Sequence, residues 1–201
     1  PHQYVDVYVD GRDVYSLKET AGRWGHTTGH VWNFVLLPVN TTHLTVKLSP
    51  CYPETANALL TYYVGNGREI YMGLMRQSLP TFIISFIILI VGIYMLGYWL
   101  LVCKSEDVDA TLLYLGLFSV LLGLWTANET DFAKLLLVNR HATTFAAYIL
   151  LMAMPIPFVL FVRSFLDFGD KNIWRVFCGF SMVMCVISCV LHFTGIWELR
   201  Q

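Results

Sequence analysis

Charge is what this chain has least of. Asp, Glu, Lys and Arg make up 13% of its 201 residues, against a usual share of about 25%. The formal net charge is −1, so the electrostatic footprint that grips nucleic acid is absent. Cysteine is scarce where a disulfide framework would need it. Of five cysteines only Cys51 precedes residue 79, so that part cannot close an internal disulfide. The other four lie in or beside apolar runs and read as small packing residues. The chain has no initiating Met, and residues 1–30 hold no apolar signal-peptide core. It opens inside a strand-like pattern, which predicts a true N-terminus, and a signal peptide, upstream.

What is present in abundance is uninterrupted apolar sequence. Leu79 to Val102 contains no Asp, Glu, Lys, Arg or His. At about 1.5 Å per helical residue it crosses a hydrocarbon core of about 30 Å, and Pro80 suits a helix start. This stretch divides the chain into two solvents. The expected fold is an α+β membrane protein, with a partial antiparallel β-sandwich or jelly roll over residues 1–78 and a bundle of four transmembrane α-helices over 79–201. The expected spans are about 80–102, 110–127, 142–165 and 173–195.

Before residue 79 the pattern alternates. Tyr4 to Val9, the turn Asp10-Gly11, then Val14-Tyr15 make a hairpin signal. Val31 to Leu37 reads as a further strand stopped by Pro38. Leu44 to Leu48 and Leu59 to Val64 read as two more, the last followed by the Gly65-Asn66-Gly67 turn. Short strands at this spacing suggest a sandwich. His26 and His30 stand four apart in a glycine-rich loop, not on a helix, so no metal site is implied. Trp24 and Trp32 suit a sandwich core better than a sugar-stacking platform. Asn40-Thr41-Thr42 and Asn128-Glu129-Thr130 fit the glycosylation sequon, a pattern without meaning in a bacterium.

After residue 79, short charged connections make neighbouring spans antiparallel. Phe132 to Val138 reads as a short interfacial helix, capped by Asn128, Thr130 or Asp131. Gly116, Ser119, Gly123 and Thr126 form one stripe of small residues, and Cys178, Ser181, Cys185, Ser188 and His192 another. Both read as helix-packing faces. Pro155 and Pro157 should kink the third span. Lys and Arg are nearly balanced between the two sides, so orientation rests on the sandwich type being common outside cells. With the sandwich outside, four spans return the chain to the outside. That parity predicts further spans beyond Gln201 if a cytoplasmic output exists.

Several apolar words with polar letters carry a resemblance: Trp32-Asn33-Phe34-Val35-Leu36-Leu37-Pro38, Leu48-Ser49-Pro50-Cys51-Tyr52, Ser78-Leu79-Pro80, Gly123 to Asp131, and Met154 to Phe158. Their order resembles the sensory half of bacterial membrane-bound GGDEF-type diguanylate cyclases, and is similar to bacterial seven-helix receptors with diverse intracellular signalling modules. The resemblance implies a galactose-binding-like extracellular sandwich, about seven spans and a cytoplasmic enzyme making cyclic di-GMP. It also implies a homodimer in the plasma membrane. No Gly-Gly-Asp/Glu-Glu-Phe signature is present, so no catalytic residue carries over and this chain is expected to be neither an enzyme nor a cofactor binder.

The expected function is therefore a membrane sensor for an extracellular small molecule or carbohydrate. The alternatives are the receptor part of a sensor kinase or phosphatase, a non-enzymatic scaffold, or a transport-associated protein. Transport is disfavoured because no span embeds a carboxylate or a Lys/Arg pathway. An intramembrane enzyme is disfavoured because Ser188 and His192 lack an orienting acid. The candidate ligand site is the outer mouth of the bundle: Trp125, Asn128, Glu129 and Asp131, then Arg140 and His141, then His192 and Trp197. Glu129 or Asp131 is expected to pair with Arg140.

Overall fold

The computed structural model describes residues 3–18, 28, 32–51, 61–103, 110–136, 140–166 and 171–194. Three strands come first: β1 (Gln3–Val9), β2 (Arg12–Leu17) and β3 (Leu44–Pro50). They form one antiparallel sheet in the order β2-β1-β3. The hairpin forms where the Asp10-Gly11 pair allows it. Both residues take positive φ, 48° and 79°, the backbone that a two-residue hairpin turn demands. A bulge between Val7 and Tyr8 shifts the β1–β2 register. Alternation is strict on β1, where Gln3, Val5, Val7 and Val9 are buried as the two-residue period requires.

Two expected strands differ from the structure. Residues 32–38 have no regular secondary structure, and neither do residues 61–64. The reason lies in the partners of the first segment. Trp32 donates its indole N–H to the Asp131 carboxylate at 2.9 Å, Asn33 accepts from the Tyr15 hydroxyl at 3.0 Å, and Phe34 packs on Tyr71 at 6.1 Å between ring centroids. Successive side chains reach three different elements, which a ladder-paired strand does not permit. Trp32 is thus a bridge to the helices rather than a residue of a sheet core. Trp24, His26 and His30 lie outside the described residues, as do 52–60, part of the last expected strand.

Helices follow: α1 (Gly67–Val102), α2 (Thr111–Glu129), α3 (Asp131–Leu136), α4 (Arg140–Ala153), α5 (Pro155–Leu166) and α6 (Lys171–Thr194). Four stretches are long and apolar enough to cross a membrane: α1, α2, the α4–α5 pair over Ala142–Phe165, and Ile173–Thr194 of α6. The chain is a multi-pass membrane protein.

The first helix does not begin at Pro80. It begins at Gly67, with the Asn66 side chain accepting from the Arg68 N–H at 3.0 Å, an N-cap bond. Pro80 lies inside the helix. Having no N–H, it leaves the Arg76 carbonyl without its helical donor, and just before it Ser78 bonds back to the Leu74 carbonyl at 3.0 Å. The helix therefore runs through the boundary set at residue 78. In the third span the helix breaks at Met154, between α4 and α5. The two prolines remove the amides that the Leu151 and Ala153 carbonyls would receive.

Helix α2 packs against α1, α4 and α5, and α6 packs against α4 and α5. The α1–α2 contact is close enough to need glycine. A Cβ on Gly123 would stand 2.9 Å from the Leu89 nitrogen and the Ser85 carbonyl oxygen, and one on Gly92 would stand 2.8 Å from the Val120 nitrogen. Ser85 is fully buried there, its hydroxyl satisfied by the Phe82 carbonyl at 2.7 Å. In a bilayer, contact of this kind replaces the hydrophobic drive that lipid cannot supply. On α6 the residues Cys178, Ser181, Cys185, Ser188 and His192 are the more protected, while Phe180, Met182, Val183, Val186 and Val190 are exposed. The small-residue stripe thus faces the bundle and the bulky residues face outward.

Candidate functional site

Antiparallel helices bring the end of α2 and the start of α4 to the sheet side of the bundle. Between them in the chain α3 turns off the end of α2 and packs on α1 and α2, and one residue makes that turn possible. The Thr130 hydroxyl donates to the Ala127 carbonyl at 2.6 Å and accepts from the Ala133 N–H at 3.3 Å. It therefore closes the end of α2 and caps the start of α3. Phe132 holds α3 on α1 by packing against Phe82, with ring centroids 4.4 Å apart.

A cleft of about 220 Å³ opens beside this joint, lined by Trp125, Asn128 and Glu129 of α2, Lys134 of α3, and Thr143, Thr144, Ala147, Tyr148 and Leu151 of α4. Its walls are partly fixed by polar contacts. The Asn128 amide donates to the Thr143 carbonyl at 3.0 Å, a carbonyl in the first turn of α4. Lys134 Nζ stands 3.4 Å from Glu129 Oε2; the lysine side chain is 10% exposed and the glutamate 42%. The lysine stem is covered while its bond to the glutamate is exposed, so this pair is a modest tie between α3 and α2.

Of the residues expected at the mouth, Trp125, Asn128 and Glu129 meet in the cleft. Asp131 does not line it; its carboxylate points to Trp32. Arg140 and His141 open α4, but their side chains, like all of Trp197, lie outside the described residues. The carboxylate partners observed are Lys134 for Glu129 and the Trp32 indole for Asp131. His192 is buried away from the cleft walls, stacked on Phe145 at 5.2 Å between centroids.

Lys134, Thr143, Thr144, Ala147, Tyr148 and Leu151 were not anticipated. A signal for the α4 residues exists: 143, 147 and 151 recur every four residues, as do 144 and 148, and a threonine pair opens an otherwise apolar span. Among the described residues no group of His, Cys, Asp and Glu is placed to hold a metal ion. No family model, curated protein or solved structure matches the chain.

Proposed function

We propose that this chain is the sensory part of a membrane receptor, taking up a signal at the mouth of the bundle and passing it on through the helices. The observation that carries the reading is the double attachment of α3. One of its side chains, Lys134, forms a wall of the cleft, and another, Asp131, holds Trp32 of the extramembrane region. A ligand that changes how α3 sits therefore acts on the bundle and on the sheet together. Such a ligand switches only if it binds the two arrangements unequally.

In this reading the sheet belongs to a β-sandwich on the outside of a bacterial plasma membrane. The output is a cytoplasmic domain beyond this chain, a diguanylate cyclase that condenses two GTP into cyclic di-GMP. That output rests on the resemblance of the apolar words alone. The test is cyclic di-GMP measured in cells carrying the natural full-length protein, wild type against Lys134→Ala, with membrane fractions checked for equal insertion. A signal-dependent change in the nucleotide, lost at least tenfold in Lys134→Ala, is expected. An unchanged response in the variant removes the cleft from the mechanism. Absence of cyclic di-GMP synthesis by the wild type removes the cyclase and leaves the receptor to binding measurements.

A further inference from the structure

The cleft is small. At about 220 Å³ it lies below the about 300–1,000 Å³ usual for sites that enclose drug-sized molecules, so its occupant is a small metabolite. Its charge chemistry narrows the class further. Two opposite charges stand side by side on the wall, Lys134 and Glu129, at 3.4 Å. They come from successive helices joined at Thr130, so a ligand that inserts between them bears on how α3 sits against α2.

Three kinds of ligand meet this pair differently. A neutral polyol has no charge to exchange for either partner, and the pair stays closed. An anion satisfies Lys134 but brings its charge up against the Glu129 carboxylate and leaves that group without its cation. A cation does the reverse, and strands the lysine, the less exposed of the two. In either case one ion pair is given up for another, with no net gain. Only a ligand carrying both charges, a few ångströms apart, replaces one ion pair by two. Charge-assisted hydrogen bonds to both ends then offset the opening of the original pair. The remaining wall suits such a molecule's side chain: Trp125, Ala147 and Leu151 supply apolar surface, and Thr143, Thr144 and Tyr148 supply hydroxyls.

We propose that the cleft is a binding site for a small zwitterion of the α-amino acid class, its carboxylate toward Lys134 and its ammonium toward Glu129. The proposal rests on the cleft being the receptor's input site, and names the ligand class that opens it. Entry of the zwitterion changes the angle of α3 about the Thr130 joint, and α3 carries Asp131 and its bond to Trp32 with it.

The test is isothermal titration of the full chain in lipid nanodiscs with the common L-amino acids. Each is compared with its N-acetyl form, which lacks the cation, and its methyl ester, which lacks the anion; glucose serves as the neutral probe. At least one free amino acid is expected to saturate the protein, with at least tenfold weaker binding after either capping. Lys134→Ala should weaken the free amino acid at least tenfold and tighten the ester, whose cation then strands no lysine. Glu129→Gln, which keeps size and hydrogen bonding, should do the same for the free amino acid and tighten the N-acetyl form, whose anion then strands no carboxylate. Thermal unfolding of both variants checks that they fold. Equal binding of free and capped forms, or saturation by glucose alone with the same dependence on Lys134, overturns the zwitterion and keeps the cleft as input site. Absence of binding by every probe to the folded wild-type protein overturns the zwitterion, and an unchanged cellular response in Lys134→Ala overturns the input site as well.

Discussion

Asp10 does the work of a small clamp. Its carboxylate accepts from the Thr42 hydroxyl at 2.7 Å, the His43 N–H at 2.9 Å and the Thr42 N–H at 3.3 Å. These bonds, the Thr42 hydroxyl first, favour the ionised form and hold the carboxyl below its ordinary value of 3.8. A carboxyl lowered on folding adds stability above its unfolded value and loses it as pH falls through the folded one. The protection factors of the Thr42 and His43 amides, with exchange normalised for its own dependence on pH, should therefore be constant above about pH 5, in the range of the unfolded carboxylate, and fall below 3.8. In Asp10→Asn that pH step should vanish. The hairpin was legible because Asp-Gly fixes its own backbone. The segment 32–38 was not, because its run of apolar letters is the same whether the chain pairs in a sheet or sends Trp32, Asn33 and Phe34 to three different partners. Lys134 was missed for a related reason: on an interfacial helix, a lysine that snorkels to water and one that turns into a cleft are written alike.

Among the elements, the crossing of α1 and α2 is the tightest contact described. Gly123→Ala puts a methyl group 2.9 Å from backbone atoms of Ser85 and Leu89, which a side-chain rotation cannot relieve. A loss of about 1–3 kcal/mol, typical of overpacking, is expected in chemical or thermal unfolding in nanodiscs. Gly97→Ala, on the same helix as Gly92 but with nothing near its Cβ position, is the neutral control. The four spans were readable because length and apolarity alone decide them in a bilayer. The Gly116 and Gly123 half of this contact was readable too, since small residues recur at helical spacing. The partner residues Ser85 and Gly92 were not, because on a helix that is apolar all round nothing marks which face meets protein and which meets lipid. The start of α1 was also misplaced, since hydropathy registers where hydrocarbon begins and is silent about a helix that starts earlier, in water.

For the molecule as a whole, the bond between Trp32 and Asp131 joins two regions that are 99 residues apart in the chain. A hydrogen bond to a charged group contributes about 1.5–3 kcal/mol, and partial burial puts this one near the lower end. A double-mutant cycle of Trp32→Phe and Asp131→Ala, read as protease resistance of the sheet region in nanodiscs, should give a coupling of about 1.5 kcal/mol. Additive effects would mean that the sheet and the bundle are joined by chain connectivity and other contacts alone.

The 36 residues of α1 make a rod about 54 Å long, of which the uncharged stretch from Leu79 to Val102 covers about 36 Å, enough for a hydrocarbon core of about 30 Å. The residues before Leu79, with Arg68, Glu69 and Arg76 among them, extend the rod by about 18 Å. The described ties between this rod and the sheet run through three successive residues: Asn33 to Tyr15 of β2, Phe34 to Tyr71 of α1, and Trp32 to Asp131 of α3. The one weak ring in that rod is at Ser78–Pro80, where a backbone bond is missing, a turn away from the Phe82–Phe132 contact. Bending at that ring bears through Phe82 and Phe132 on α3, whose Lys134 walls the cleft.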